Sequence, residues 1–222
     1  AYFSKLLPSN QTWRLFPEFR ESMVYLDIET TGLDRYFNNI TTIALYDGQA
    51  IKIYVQGQNL EDFIEDIQKY KVIVSYNGKS FDIPFIEHYF NIRLDHVHID
   101  LRYILYSLGF RGGLKGCERQ LGMDRGDLSD IDGFFAVLLW DEYQRTGDQR
   151  ALENLLAYNT QDTVNLENLM VTAYNMKLRQ TPFYETHFIE DPILPGNPYS
   201  TDLATLDRIK NSSQYWQAQQ WY

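Results

Sequence analysis

At 222 residues the chain is long enough for one good hydrophobic core, and its 15% aromatic content suits a packed fold. The single cysteine, Cys117, excludes an intramolecular disulfide framework and suits a reducing compartment. A formal charge of −10 argues against tight, sequence-independent binding of duplex nucleic acid. No apolar run approaches the length of a membrane span and no signal-peptide pattern opens the chain, so a cytoplasmic protein without membrane contact is expected.

Residues 1–22 mix Tyr2, Phe3, Trp13, Phe16 and Phe19 with turn formers, without clean periodicity, and read as a lead-in that packs over a sheet. β-Branched and aromatic content predicts strands at about 23–28, 41–46, 50–55 and 72–76, with Asp47-Gly48 as a hairpin turn. A helix is expected over roughly 60–70, with Leu60, Phe63, Ile64 and Ile67 on one face. After the Asn77-Gly78 turn a second helix covers about 83–90, with Pro84 in its first turn. Val97-His98-Ile99 reads as a strand, and Asp100 as the N-cap of a helix reaching about Ser107. Gly109 to Gly113 is a loop before a short helix that ends near Leu121-Gly122. An acidic loop, Asp127 to Gly133, precedes a helix to about Arg145, which Gly147 breaks, and a long helix follows over roughly 148–176. The remainder is rich in proline and polar residues and ends in an aromatic tail with Trp216, Trp221 and Tyr222, packed on the domain, unstructured or binding a partner. This order divides the chain into a lead-in (1–22), an α/β domain (23–176) and an extension (177–222). A strand meander followed by alternating strands and helices indicates a mixed sheet with helices on its faces.

The most informative segment is Asp27-Ile28-Glu29-Thr30-Thr31-Gly32, which ends the apolar run Met23-Val24-Tyr25-Leu26. Two carboxylates two residues apart on a strand point to one side of the sheet. Nothing in that segment offers them a cation, so a divalent metal is the simplest partner. On the long helix, Tyr158 and Asp162 lie four apart and share a face. Asp162 is seven residues from both Leu155 and Leu169, on the inward stripe completed by Leu166 and Ala173. A carboxylate there is costly unless paired or metal-bound. Its plain alternative is an ordinary helix acid bonded to a nearby arginine or a backbone donor. A third segment, Asn77-Gly78-Lys79-Ser80-Phe81-Asp82, joins a strand to a helix. Taken alone, Asp82 reads as an N-cap and Asn77 as the left-handed residue of a turn.

Together, Asp27-x-Glu29, Asn77-x-x-x-Phe81-Asp82 and Tyr158-x-x-x-Asp162 resemble the three motifs of the DEDD superfamily of 3′→5′ exonucleases, in its tyrosine subgroup. The wording around Leu26 to Leu33, with Leu114-Lys115 and Leu121-Gly122 later, is most similar to YprB-type ribonuclease H-like domains. The resemblance covers about residues 22–176. It implies a ribonuclease H-like fold: a mixed five-stranded sheet flanked by helices. It further implies two divalent cations, Mg²⁺ or Mn²⁺, held by Asp27, Glu29, Asp82 and Asp162. Asp27, Glu29 and Asp162 would bind one ion directly; Asp27 would touch the second, and Asp82 would hold it through water. Tyr158 would orient the attacking water, since a phenol is a poor base at neutral pH. Thr30, Leu33, Asn77 and Phe81 would surround the terminal nucleotide of a single-stranded or 3′-ended DNA or RNA. Phe81 reads equally well as plain core.

Arg111, Lys115 and Arg119 surround Gly112-Gly113 and a helix start, an arrangement that suits a phosphate or an ordinary solvated basic face. Asp127, Asp130 and Asp132 miss the spacing of a calcium loop and read as loop acids and a helix cap. Asp100 also ends a strand and is the one rival for a metal role. His88, His96 and His98 form no zinc pattern with Cys117 and read as packing or surface residues. Two alternatives to the exonuclease stay open: a ribonuclease H-like endonuclease, and a catalytically silent module that binds nucleic acid or protein.

Overall fold

Met23–Thr30 (β1), Ile40–Tyr46 (β2), Ile51–Val55 (β3), Val72–Ser75 (β4) and Val97–Asp100 (β5) form one sheet in the order β3-β2-β1-β4-β5. The first three strands are an antiparallel meander, and β4 and β5 run parallel to β1. The structure is a computed structural model that describes residues 7–129 and 131–212. Tyr2, Phe3, Asp130 and the aromatic tail with Trp216, Trp221 and Tyr222 lie outside the described residues.

The helices are Phe16–Phe19 (α1), Phe63–Ile67 (α2), Asp82–Phe90 (α3), Leu101–Ser107 (α4), Gly113–Gln120 (α5), Gly133–Thr146 (α6), Gln149–Leu178 (α7), Tyr184–His187 (α8) and Leu203–Lys210 (α9). Side-chain alternation along β1 divides them between two faces. Val24, Leu26 and Ile28 pack with Phe63, Ile67, Phe85 and Ile86 of α2 and α3. Met23 and Tyr25 pack with Leu166 and Leu169 of α7 and with Trp13 and Phe16 of the lead-in. The same alternation turns Asp27 and Glu29 toward α7. The sheet is therefore mixed, five-stranded and flanked by helices, as the sequence predicts.

α7 crosses the sheet against β1 and β2. At about 1.5 Å per residue it is roughly 45 Å long. Its outer side is covered in turn: Leu206 and Ile209 of α9 and Phe135, Leu139 and Trp140 of α6 pack on Leu152, Leu155 and Leu156. Three side-chain caps fix the starts of these helices. Asp132 accepts from Phe135 N, Asp148 from Arg150 N, and Asp202 from Thr205 N.

The sequence differs from the structure mainly in element ends. The helix expected over 60–70 is a 3₁₀ turn, Leu60–Asp62, followed by α2, which stops at Ile67. It cannot run on, because the Lys71 backbone already bonds Ser22 O and Val97 N on the way into β4. β1 reaches Thr30, two residues beyond expectation, because β2 pairs with it as far as Ile40 across a bulge between Glu29 and Thr30. No helix among the described residues is long and apolar enough to cross a membrane.

Candidate active site

The site forms where β4 ends before β1 does. β4 pairs with β1 only along Met23 to Tyr25. The chain then leaves the sheet through Asn77, whose φ of 66° is the left-handed turn the sequence predicts. Past that point the Ile28 N–H donates to Asp82 Oδ1 at 3.2 Å. Asp82 is thus the first residue of α3 and not its side-chain cap, a correction to the N-cap reading, since its carboxylate reaches across to the strand.

Asp27, Glu29 and Asp162 each bring a carboxylate oxygen into a cluster whose atoms lie within 4.8 Å of one another. Glu29, Asp82 and Asp162 are buried and Asp27 is half-buried. Desolvation, then repulsion from Glu29, Asp162 and Asp82, pushes the Asp27 pKa well up, against a hydrogen bond from Asn159. Desolvation and Asp162 push Glu29 up as well, opposed by Lys115 and Arg125. Burial pushes Asp82 up to about 7, helped by Asp100 and opposed by backbone hydrogen bonds. Oxygen donors in this number, mutually repelling and screened from water, fit a hard divalent cation.

The sequence offered no cation to these acids, and the structure supplies one. Arg125, buried in the loop between α5 and α6, pairs with both Asp162 and Glu118, the latter at 2.6 Å. Burial pulls the Arg125 pKa down, and the two carboxylates more than reverse this. Asn165 donates to the other Glu118 oxygen at 2.8 Å. So the arginine partner considered for Asp162 is present beside the metal-type cluster. Asn159 is a second residue that the motifs did not name. It donates to Asp27 Oδ2 at 2.7 Å and accepts from Thr42 Oγ1 at 2.9 Å, tying α7 to β1 and β2. Its position between Tyr158 and Asp162 on one turn was the available signal; for Arg125 and Glu118 the sequence carried none.

A cavity of about 410 Å³ opens over the cluster. Thr30, Leu33, Asn77 and Phe81 line it with Tyr158 and the four acids. Thr30 Oγ1 is bonded to Gly32 O at 2.7 Å, Leu33 is exposed, and Phe81 leans on Phe85 with ring centres 5.5 Å apart. Desolvation, then the charges of Asp162, Glu29 and Asp27, hold the Tyr158 pKa well above its usual value, so its hydroxyl stays a proton donor at neutral pH. Lys115 stands apart from the cavity wall. Its ammonium is buried 4.6 Å from the Tyr158 ring centre, with no hydrogen-bond partner among the described residues. Burial lowers the Lys115 pKa. The rival Asp100 is taken up by backbone N–H groups of Asn77, Lys79 and Arg102, at 2.8, 3.1 and 3.0 Å.

Residues 24–174 match the family described as the RNase_H superfamily. A solved nuclease in its apo form is 19% identical with a TM-score of 0.50, over 72% of this chain and 75% of that one. The family B DNA polymerase of the hyperthermophilic archaeon Pyrobaculum calidifontis is 14% identical with a TM-score of 0.46. That alignment covers 70% of this chain but only 29% of the polymerase. NrnC of Brucella melitensis, solved bound to pGG, is 16% identical with a TM-score of 0.37, over 79% of this chain and 93% of that one. The first likeness speaks to fold alone, and the other two are too loose to carry an argument. No curated protein matches the chain.

Two measurements check the electrostatics. Arg125→Met leaves Glu118, which is fully buried, and Asp162 without their cation, so stability in chelator should fall by about 3–5 kcal/mol in urea denaturation. A loss under ~1 kcal/mol would mean that the pair is solvated. The second concerns pH. Because the folded pKa of Asp82 is raised from 3.8 to about 7, the unfolded chain ionises first as pH climbs through that window. The metal-free wild type therefore loses stability there, and Asp82→Asn loses less, because only the raised Asp27 and Glu29 carboxyls still contribute. The Tm of the variant relative to wild type in chelator should rise from pH 4 to pH 7; a flat difference would refute the assignment.

Proposed function

Because the chain belongs to the RNase_H superfamily, we propose that it is a metal-dependent 3′→5′ exonuclease that hydrolyses phosphodiester bonds at DNA or RNA strand ends. The observation that carries this reading is the convergence of Asp27, Glu29 and Asp162 within 4.8 Å, beneath a cavity that Tyr158 also lines. A volume of about 410 Å³ is in the range of small-ligand pockets, roughly 300–1,000 Å³. It suits a terminal nucleotide better than a continuous duplex.

In this reading Asp27, Glu29 and Asp162 hold one divalent ion, Mg²⁺ or Mn²⁺, and Asp27 with Asp82 serves a second. Such ions supply Lewis acidity at the scissile phosphate. The chain's own residues do the positioning. Tyr158, kept protonated, donates to and orients the attacking water. Leu33 and Phe81 exclude solvent around the last nucleotide, with Thr30 and Asn77 at its sugar. Lys115 fixes the Tyr158 ring from behind and adds positive charge close to the anionic substrate. Asn159 keeps Asp27 aimed into the cluster.

Incubation with end-labelled single strands, in Mn²⁺ or in chelator, tests the reading. Mononucleotides should appear first and only with metal. Internal fragments would identify an endonuclease, and binding without metal-dependent cleavage a silent module. Asp27→Asn and Asp162→Asn should each lower the rate at least ~10³-fold, about 4 kcal/mol of transition-state stabilisation. Asp127→Asn, on the loop before α6, should stay within a few-fold. Tyr158→Phe should lower turnover roughly 10²-fold while the rise in Tm on adding Mn²⁺ is kept. Full activity of that variant would remove Tyr158 from the reaction.

A further inference from the structure

A second groove, of about 420 Å³, adjoins the catalytic cavity and shares Tyr76 and Asn77 with it. Its other walls include Arg102 and Tyr106 of α4 and Phe110 and Arg111 of the loop before α5. None of the described residues lining it is acidic, in a chain whose net charge is −10.

Its parts are pre-arranged. The Arg111 guanidinium lies 3.4 Å from the Tyr106 ring centre. It is held there by hydrogen bonds to the Tyr106 and Phe110 carbonyls, both at 2.7 Å. Tyr106 is nevertheless 60% exposed. Arg102 donates to Asn77 Oδ1 at 2.5 Å, on the boundary between groove and cavity. A flat cation stacked on an open aromatic ring, with a second arginine one step nearer the acids, has little structural purpose, because none of these groups carries core packing.

We propose that this groove is the track for the single strand behind its terminal nucleotide. Arg102 meets a backbone phosphate close to the scissile one, and Tyr106 with Arg111 forms a platform for an unpaired base. Base–aromatic stacking combined with arginine contacts is how sequence-tolerant single-strand binders hold their ligand. A planar guanidinium does this where an ammonium does not. The proposal rests on the exonuclease reading for the direction of the strand, and not for the binding itself.

The test separates the two. Binding of an eight-nucleotide fluorescein-labelled DNA strand to the wild-type chain is followed by anisotropy in chelator, where no hydrolysis occurs. Arg102→Ala, Arg111→Ala and Tyr106→Ala should each weaken it roughly tenfold, the scale of one lost stack or phosphate contact. Arg102→Ala should also flatten the salt dependence by about one unit of slope. Arg111→Lys should recover only part of the loss, because it returns charge without the stacking plane. All three positions are on the surface, and unchanged Tm values would show that the fold is intact. With Mn²⁺, the arginine variants should raise KM for the eight-nucleotide strand and leave KM for a dinucleotide and kcat nearly unchanged. Unchanged affinity in both arginine variants would overturn the track even if the enzyme degrades strands. Arginine-dependent binding by a chain that never cleaves would uphold the track and sink the exonuclease.

Discussion

Like charge confined at the end of a central strand is the constraint to which the rest of this structure answers. Asp27 and Glu29 share one face of β1 by simple alternation, and α7 lays Asp162 against them. At such separations carboxylates cannot all stay ionised in a desolvated setting without a cation. Three arrangements meet that demand without metal. Proton affinities of Asp27, Glu29 and Asp82 rise. Asn159 supplies a neutral donor to Asp27. Arg125 supplies full charge to Asp162, while Glu118 on its far side keeps the guanidinium in place. A cation arriving at the cluster therefore competes with protons and with Arg125. The acids are held ready, neither collapsed on one another nor left bare.

The acidic net charge fits this picture once it is resolved in space. An anionic strand is not drawn to the molecule as a whole. Among the described residues the positive groups at the site are local: Arg125 paired with Asp162, Lys115 against the Tyr158 ring, and Arg102 and Arg111 in the adjoining groove. Screening at physiological ionic strength limits exposed charges to about 8 Å, so the groove is felt as basic at contact even though the chain is acidic overall. On the proposed reading, such a surface would engage a strand at one place rather than slide along a duplex.

Sequence reasoning reached the elements whose signals are local. The β1 run, the Asp47-Gly48 hairpin, the Asn77 turn, and the Asp100 cap are each specified by neighbouring residues, and each stands where expected. So does α7, long enough for its inward stripe to be read directly. The spacing Asp27-x-Glu29 and Tyr158-x-x-x-Asp162 encodes which side chains share a face, and the structure brings three of those acids together. What escaped was whatever depends on distant partners. Arg125 carried no local signal, because its partners are 7 and 37 residues away along the chain. Lys115 sits in a basic-looking stretch, yet its ammonium turns inward over Tyr158. Asp82 passed for a helix cap because the strand N–H it satisfies is 54 residues away.

That last contact explains why the fold and the site are inseparable. If β4 continued alongside β1, its backbone would satisfy the Ile28 N–H, and a neighbouring strand would close the space over Asp27 and Glu29. Because the chain turns away at Asn77, the strand end is left with an open edge, and an unpaired buried N–H there would cost about 1–3 kcal/mol. Asp82 removes that cost and in the same act lines the cavity that Asp27, Glu29 and Asp162 also line. The turn that ends β4 also opens the cavity, places Asn77 on its rim, and starts the helix that carries Asp82. One break in strand pairing thus supplies the vacancy, the charge and the access together. No part of this arrangement exists in any single segment; it appears only when β1, α3 and α7 are packed.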